Sequence, residues 1–223
     1  MLRALRRMID RIVLRDRRYG FLFRDQETDE AVSLDCETTG FDPWVDEIVS
    51  IAAIPIAGSR ILTSQAYRAL VRPGAAMNAR SIRVHQLREK DVEQGRSMQE
   101  VLPELLHFIG NRPLVGYWID FDVRMLDKYL ISWLNIHLPN RCIDVSNLYY
   151  DRKYGSAPPG TRVDLTLASI RRDLGLPLLQ QHDAFNDALT AAQMYLVLKD
   201  MTVRGARIPR ERSSNVGISF AAG

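Results

Sequence analysis

Apolar and polar positions alternate along the chain in a way that divides it into successive elements. Residues 1–18 set Leu2, Leu5, Met8, Ile9, Ile12 and Val13 at helical spacing, with arginines on the other face. This predicts a basic amphipathic helix able to lie on the core, on nucleic acid, on a partner or on an anionic membrane surface. Residues 19–30 read as a linker. Apolar runs at 31–36, 47–57 and 60–72 predict three strands, and turn residues at 42–46 and 57–59 join them into an antiparallel meander. Helical periods follow at 79–93, in short pieces, and at 98–110, where Met98, Val101, Leu102, Leu105 and Leu106 share one stripe. The segment 112–116 reads as a short buried strand, 120–134 as a helix, and 141–150 as a strand end with a short helix. A Gly/Pro-rich loop from Tyr154 to Thr161 precedes helices over 164–174 and 184–200. Strands first, then strand–helix alternation, predicts an α/β fold with a mixed sheet flanked by helices. The domain itself is expected over 31–200, after an arm and linker at 1–30 and before a polar, flexible tail at 201–223.

Composition narrows the class. At 223 residues the chain is long enough for one well-cored domain with extensions. No apolar run approaches the ~20 residues that cross a membrane, and the arginine-rich start does not read as a secretory signal. Cys36 and Cys142 are the only cysteines. They form no disulfide framework, and a reduced, cytoplasmic setting is expected. The net charge of +3 is unevenly spread: residues 1–24 carry +6 and residues 201–223 carry +3, which leaves −6 on the middle of the chain. An acidic body with basic arms fits a metal-dependent enzyme acting on a polyanion, and also an ordinary acidic domain with solvated arms.

Several acids stand where acids are unwelcome. Asp35 and Glu37 lie two apart in the first strand, so both carboxylates face the same way. Like charges about 6–7 Å apart along a strand repel, and burying them asks for a cation between them, Mg²⁺ or Mn²⁺ by ligand hardness. The plain alternative is an exposed strand end with two solvated acids. Asp122 falls on the stripe Met125/Leu126, Tyr129, Trp133, and Asp187 on the stripe Ala191, Met194/Tyr195, Leu198. Three elements aiming acids inward are most economically read as one cationic site. His182 precedes the expected N-cap Asp183 and puts an imidazole at that helix mouth, available as a base.

The order Asp35-Cys-Glu37-Thr-Thr-Gly40, Phe121-Asp122 opening one helix, and His182 five residues before Asp187 in another resembles the DEDD exonuclease superfamily. The histidine makes it similar to the DEDDh branch, the group of the bacterial proofreading epsilon subunit and RNase T-like enzymes. The resemblance implies a ribonuclease H-like fold with a mixed five-stranded sheet. It implies Asp35, Glu37, Asp122 and Asp187 as ligands of two Mg²⁺ (or Mn²⁺) ions, roughly 3.5–4 Å apart, with His182 taking the proton of the attacking water. Thr38, Thr39, Gly40 and Phe41 match the turn facing the terminal nucleotide. The implied activity is 3′–5′ exonucleolytic release of nucleoside monophosphates from single-stranded or frayed ends. The implied partners are a nucleic acid with a free 3′ end, DNA ahead of RNA, and a polymerase or other protein.

The chain also departs from that pattern. Tyr117-Trp-Ile-Asp120 replaces the usual His-Asn opening of the second motif, so Tyr117 and Trp118 are expected either to stack on a base or, for Trp118, to fill core. Asp120 competes with Asp122, and the Phe-Asp register favours Asp122. Ser50 stands where the family often has a second glutamate. Ile82-Arg-Val-His85 resembles another family segment, in which His85 reads as structural. A nucleic-acid or polymerase-binding module without turnover is the rival reading.

Overall fold

The sheet is built around β1 (Glu30–Thr38), which is buried on both faces. Val32, Leu34 and Cys36 point to one side, and Ala31, Ser33, Asp35 and Glu37 to the other. The computed structural model describes residues 2–25, 29–74 and 92–210; the segment with Ile82 and His85 lies outside them. β1 pairs antiparallel with β2 (Ile48–Ala57), from Glu30 opposite Ala57 to Glu37 opposite Ser50, where the register shifts. The expected third strand is in two pieces, β3 (Arg60–Ile61) and β4 (Tyr67–Leu70), both antiparallel to β2. Between them the polar Thr63-Ser64-Gln65 has nothing to bury and leaves the ladder as a 3-10 turn. On the other side β1 pairs parallel with β5 (Leu114–Gly116), and β5 with β6 (Cys142–Asp144). With β3 and β4 sharing one outer position, the sheet is the expected mixed, five-position, ribonuclease H-like arrangement.

Helices α2 (Met98–Ile109) and α3 (Asp120–Leu134) cover the Val32/Leu34/Cys36 face with their apolar stripes. At the start of α2 the Glu100 carboxylate accepts the Ser97 N–H at 2.8 Å, closing the first turn. α4 (Val145–Lys153) and α5 (Leu167–Asp173) lead to α6 (Ala184–Val203) on the opposite face. Ala184 and Ala188 of α6 pack against Ala52 and Ile54 of β2. These small side chains allow a close approach, and Ser33 Oγ donates to the Ala188 carbonyl at 2.7 Å. α6 therefore runs directly over the face that carries Asp35 and Glu37.

Both ends of the chain differ from expectation. Residues 17–23 form a 3-10 turn with Tyr19, Leu22 and Phe23 buried in the same cluster as Val32, so much of the expected linker is core. Its aromatic and leucine side chains have apolar area to bury, which a linker lacks. α1 (Leu2–Val13) forms as a helix but turns its apolar stripe outward. At the other end Ile208 is buried and its N–H donates to the Arg152 carbonyl at 3.2 Å, so the first residues of the expected tail pack on α4. Among the described residues no helix is long and apolar enough to cross a membrane.

Candidate active site

The side of β1 that meets α6 ends in two acids, and the two helix starts nearest to it supply two more. Asp35, Glu37 and Asp187 each offer a carboxylate oxygen within 4.8 Å of the others. Asp122, in the first turn of α3, is only 4% exposed. It stands outside that trio, and its Oδ1 accepts the Cys36 N–H at 2.9 Å, clamping α3 onto β1 between the strand's two acids. Asp183 caps α6 by accepting the Asn186 N–H at 2.9 Å, and Asp187 Oδ2 accepts the His182 N–H at 2.9 Å. That second bond fixes the backbone of His182 over the acids and leaves the imidazole exposed on the cavity wall.

Electrostatically the cluster is short of positive charge. Burial, then the charges of Asp122, Asp187 and Glu37, holds the Asp35 carboxyl well above the ordinary carboxylate range. Burial with Asp187 and Asp183 pushes Glu37 up to about 7. Burial pushes Asp122 up to about 8 against the opposing hydrogen bond from Cys36, and it also raises Asp187. The surrounding cavity, of about 650 Å³, is lined by no lysine or arginine among the described residues. An all-oxygen donor set without a protein counter-charge fits hard divalent cations of the Mg²⁺ or Mn²⁺ kind.

The other expected site residues, Thr38, Thr39, Gly40, Phe41, Tyr117 and Trp118, line this same cavity. Asp120 does not; it is exposed and faces a separate depression with Arg124 and Asp127. Thr39 serves the turn itself: its hydroxyl donates to Asp46 Oδ1 at 3.0 Å and accepts the Glu47 N–H at 2.9 Å. Asp46 Oδ2 also accepts the Asp42 N–H at 2.9 Å. A Cβ at Gly40 would stand 2.4 Å from that same oxygen, so a larger residue there would displace the Asp46 carboxylate from these bonds. Asp46 is thus the staple of the turn, and nothing in its spacing marks it, since a carboxylate in a loop is ordinary. Leu167 and Gln181 also line it without a sequence signal to mark them, together with Phe121 of the second motif. Ser50 stands opposite Glu37 on the neighbouring strand, where a carboxylate would add yet another like charge.

Two aromatic side chains form an uncovered rim. Phe41 is 72% exposed, with its ring 6.3 Å from that of Phe121, and Trp118 is 56% exposed, which rules out core filling for the tryptophan. Trp118 has φ +55 and lies edge-on to Tyr117 with centroids 6.2 Å apart, while Tyr117 Oη donates to the Leu165 carbonyl at 2.9 Å. Among the described residues three non-glycines occupy the left-handed region: Asn135, which caps α3, and Trp118 and His182. The last two both stand on this cavity. Holding a tryptophan there costs on the order of 1–3 kcal/mol, a kind of strain that concentrates at functional sites.

Known proteins resemble this chain in sequence and in fold. A family model described as an exonuclease, the RNase T type, matches residues 32–195, well over half of the chain. The PolC-type DNA polymerase III of Thermotoga petrophila is 32% identical over 174 residues, which are 76% of this chain and 12% of that protein. The DNA polymerase III subunit epsilon of Aquifex aeolicus is 27% identical over 165 residues, covering 74% of this chain and 78% of the relative. The chain thus spans about an eighth of the PolC-type relative and most of the epsilon one. Among solved structures, E. coli exonuclease I in a complex with single-stranded DNA superposes with a TM-score of 0.65 at 16% identity, covering 80% of this chain and 42% of that one. Exonuclease X in complex with 5′-overhanging duplex DNA gives 0.60 at 21% identity, covering 80% and 95%. At these identities the structural likeness establishes the fold.

Proposed function

The chain belongs to the RNase T-type exonuclease family of the DEDD superfamily, and on that footing we propose that it hydrolyses nucleic acid from the 3′ end, releasing nucleoside monophosphates. The observation that carries this reading is the convergence of four carboxylates from β1, α3 and α6 in a cavity without a lysine or arginine among the described residues. Asp35, Glu37, Asp122 and Asp187 would hold the divalent cations. Such cations, when bound, supply charge stabilisation at the phosphate and raise the acidity of water.

The remaining steps belong to the chain's own groups. His182, in its neutral form, takes the proton from the attacking water. Its backbone bond to Asp187 keeps it beside the acids. The Thr38–Asp46 turn, closed by Thr39 and Asp46, bounds one side of a pocket sized for a strand end. Phe41 and Trp118 offer their faces to the last bases, a contact that favours unpaired termini and is indifferent to sequence. DNA ahead of RNA is part of this proposal, made because the relatives are named as DNA polymerase III proteins and the structural neighbours were solved with DNA.

The test is direct. Protein incubated with Mn²⁺ and 5′-labelled single strands of DNA and RNA should give a ladder receding one nucleotide at a time from the 3′ end. Asp35→Ala and Asp187→Ala should abolish it. Residual activity within tenfold of wild type in either variant, or binding without hydrolysis by the wild type, would defeat the proposal.

A further inference from the structure

The N-terminal helix is held the opposite way round from an ordinary amphipathic helix. Its polar side faces the body of the protein. Asp10 is buried, with Oδ2 accepting the His137 N–H at 3.4 Å, and Arg7 donates to the carbonyls of Pro139 at 2.9 Å and Arg24 at 3.1 Å. Just beyond the helix, Leu14 is buried and the Arg15 N–H donates to the Leu134 carbonyl at 3.1 Å. The orientation is therefore fixed by specific contacts. It leaves Leu5, Met8, Ile9, Ile12 and Val13 in one outward stripe, each between 40% and 66% exposed. Lone exposed apolar residues are normal, but five at helical spacing on one face form a patch that asks for a partner.

Charge at the rim of the stripe selects the partner. Arg6, Arg11, Arg15 and Arg17 are exposed around it. The only acids in residues 1–24 are Asp10, which is buried, and Asp16, which Arg18 engages at 2.7 Å. A second copy docked face to face would set arginine rim against arginine rim. Nucleic acid would satisfy the arginines and leave five apolar side chains in water.

We propose that the outward face of α1 seats the protein on an anionic membrane surface. A helix of this length, about 18 Å, lies in the plane of the interface with its apolar stripe among the acyl chains while flanking arginines reach the headgroups. It is too short to cross, as the absence of a spanning helix among the described residues requires. The residues that hold α1 in place, Arg24, His137 and Pro139, are not among those lining the acidic cavity.

The full-length protein should sediment with vesicles in which about a third of the phosphatidylcholine is replaced by phosphatidylglycerol, should not sediment with phosphatidylcholine alone, and should be released by salt. The double variant Ile9→Asp/Ile12→Asp should lose sedimentation and keep wild-type hydrolysis of a soluble oligonucleotide, since both side chains are exposed. Arg11→Ser should weaken vesicle binding about fivefold. No sedimentation of the wild type with anionic vesicles, or sedimentation undisturbed in the double variant, would overturn the proposal. A wild-type dimer by light scattering that the double variant dissociates would also overturn it, because a second copy then covers the stripe.

Discussion

Replacing Glu37 with glutamine should make the metal-free protein more stable at alkaline pH while destroying its hydrolytic activity. Glu37 is 9% exposed and sits among like charges, so its pKa rises from the ordinary 4.5 to about 7, first through burial and then through Asp187 and Asp183. At 1.36 kcal/mol per pH unit, that rise sets roughly 3 kcal/mol against the charged side chain in the folded state. Because the folded pKa lies above the unfolded one, the folded state binds more protons between them, and stability is lost as pH climbs from 4.5 to about 7. Below that window the carboxyl is neutral in both states and contributes no difference. Glutamine keeps the shape and drops the charge, at a cost of about 1 kcal/mol for an amide whose hydrogen bonds fit less well. The variant should then gain about 2 kcal/mol at pH 8, roughly 4–8 °C in Tm for a chain of this size, and should be slightly less stable than wild type at pH 4.5, where the cost of the amide outweighs what little charge penalty is left. Thermal unfolding in EDTA at the two pH values reads this directly. Added Mn²⁺ should reverse the ranking at pH 8, since the wild type keeps a ligand that the variant lacks. A variant no more stable than wild type at pH 8 in EDTA, or equally stabilised at both pH values, would refute the reasoning that the site is an uncompensated acidic cluster.

Other perturbations probe single roles. His182→Gln should fold, retain oligonucleotide affinity and turn over ~10²–10⁴-fold more slowly; a rate within about threefold of wild type would remove the histidine from the proton transfer. Trp118→Ala should raise KM for single-stranded substrate by about tenfold, the lower part of the range for one lost base stack, with kcat nearly kept and Trp118→Phe restoring most of the loss. An unchanged KM would mean that the strained tryptophan does not touch a base. Asp122→Asn should abolish hydrolysis and Asp120→Asn should leave it intact, and the opposite result would show that the second motif has been read two residues out of register.

The sheet and most helices were legible because each repeats one physical pattern along its length. The helix at 120–134 matches its expected bounds to the residue, and Asp122 and Asp187 stood out by occupying apolar stripes before the structure placed them on one acidic cavity. What was hidden depends on contacts distant in sequence. Amphipathicity shows that α1 has two faces, but which one meets the body is decided by His137 and Pro139, more than a hundred residues away. Residues 19–23 read as linker because the run is too short to show a period, although its Leu22 is fully buried. The left-handed backbone of Trp118 arises where the chain passes from β5 into α3, a constraint that no local pattern announces. Asp46 works through the space that Gly40 leaves, and that pairing exists only once the turn has closed.

The central claim is that Asp35, Glu37, Asp122 and Asp187 hold hard cations against the phosphate being hydrolysed at the 3′ end. It is tested most directly with strands carrying a single phosphorothioate of defined configuration at the terminal linkage. Sulfur is a poor ligand for Mg²⁺ and a better one for softer ions. If the claim holds, one diastereomer will be hydrolysed far more slowly than the ordinary diester in Mg²⁺, Mn²⁺ or Cd²⁺ will restore its rate, and EDTA will stop all hydrolysis. Equal rates for both diastereomers and the ordinary diester in Mg²⁺, or hydrolysis that survives EDTA, would contradict it.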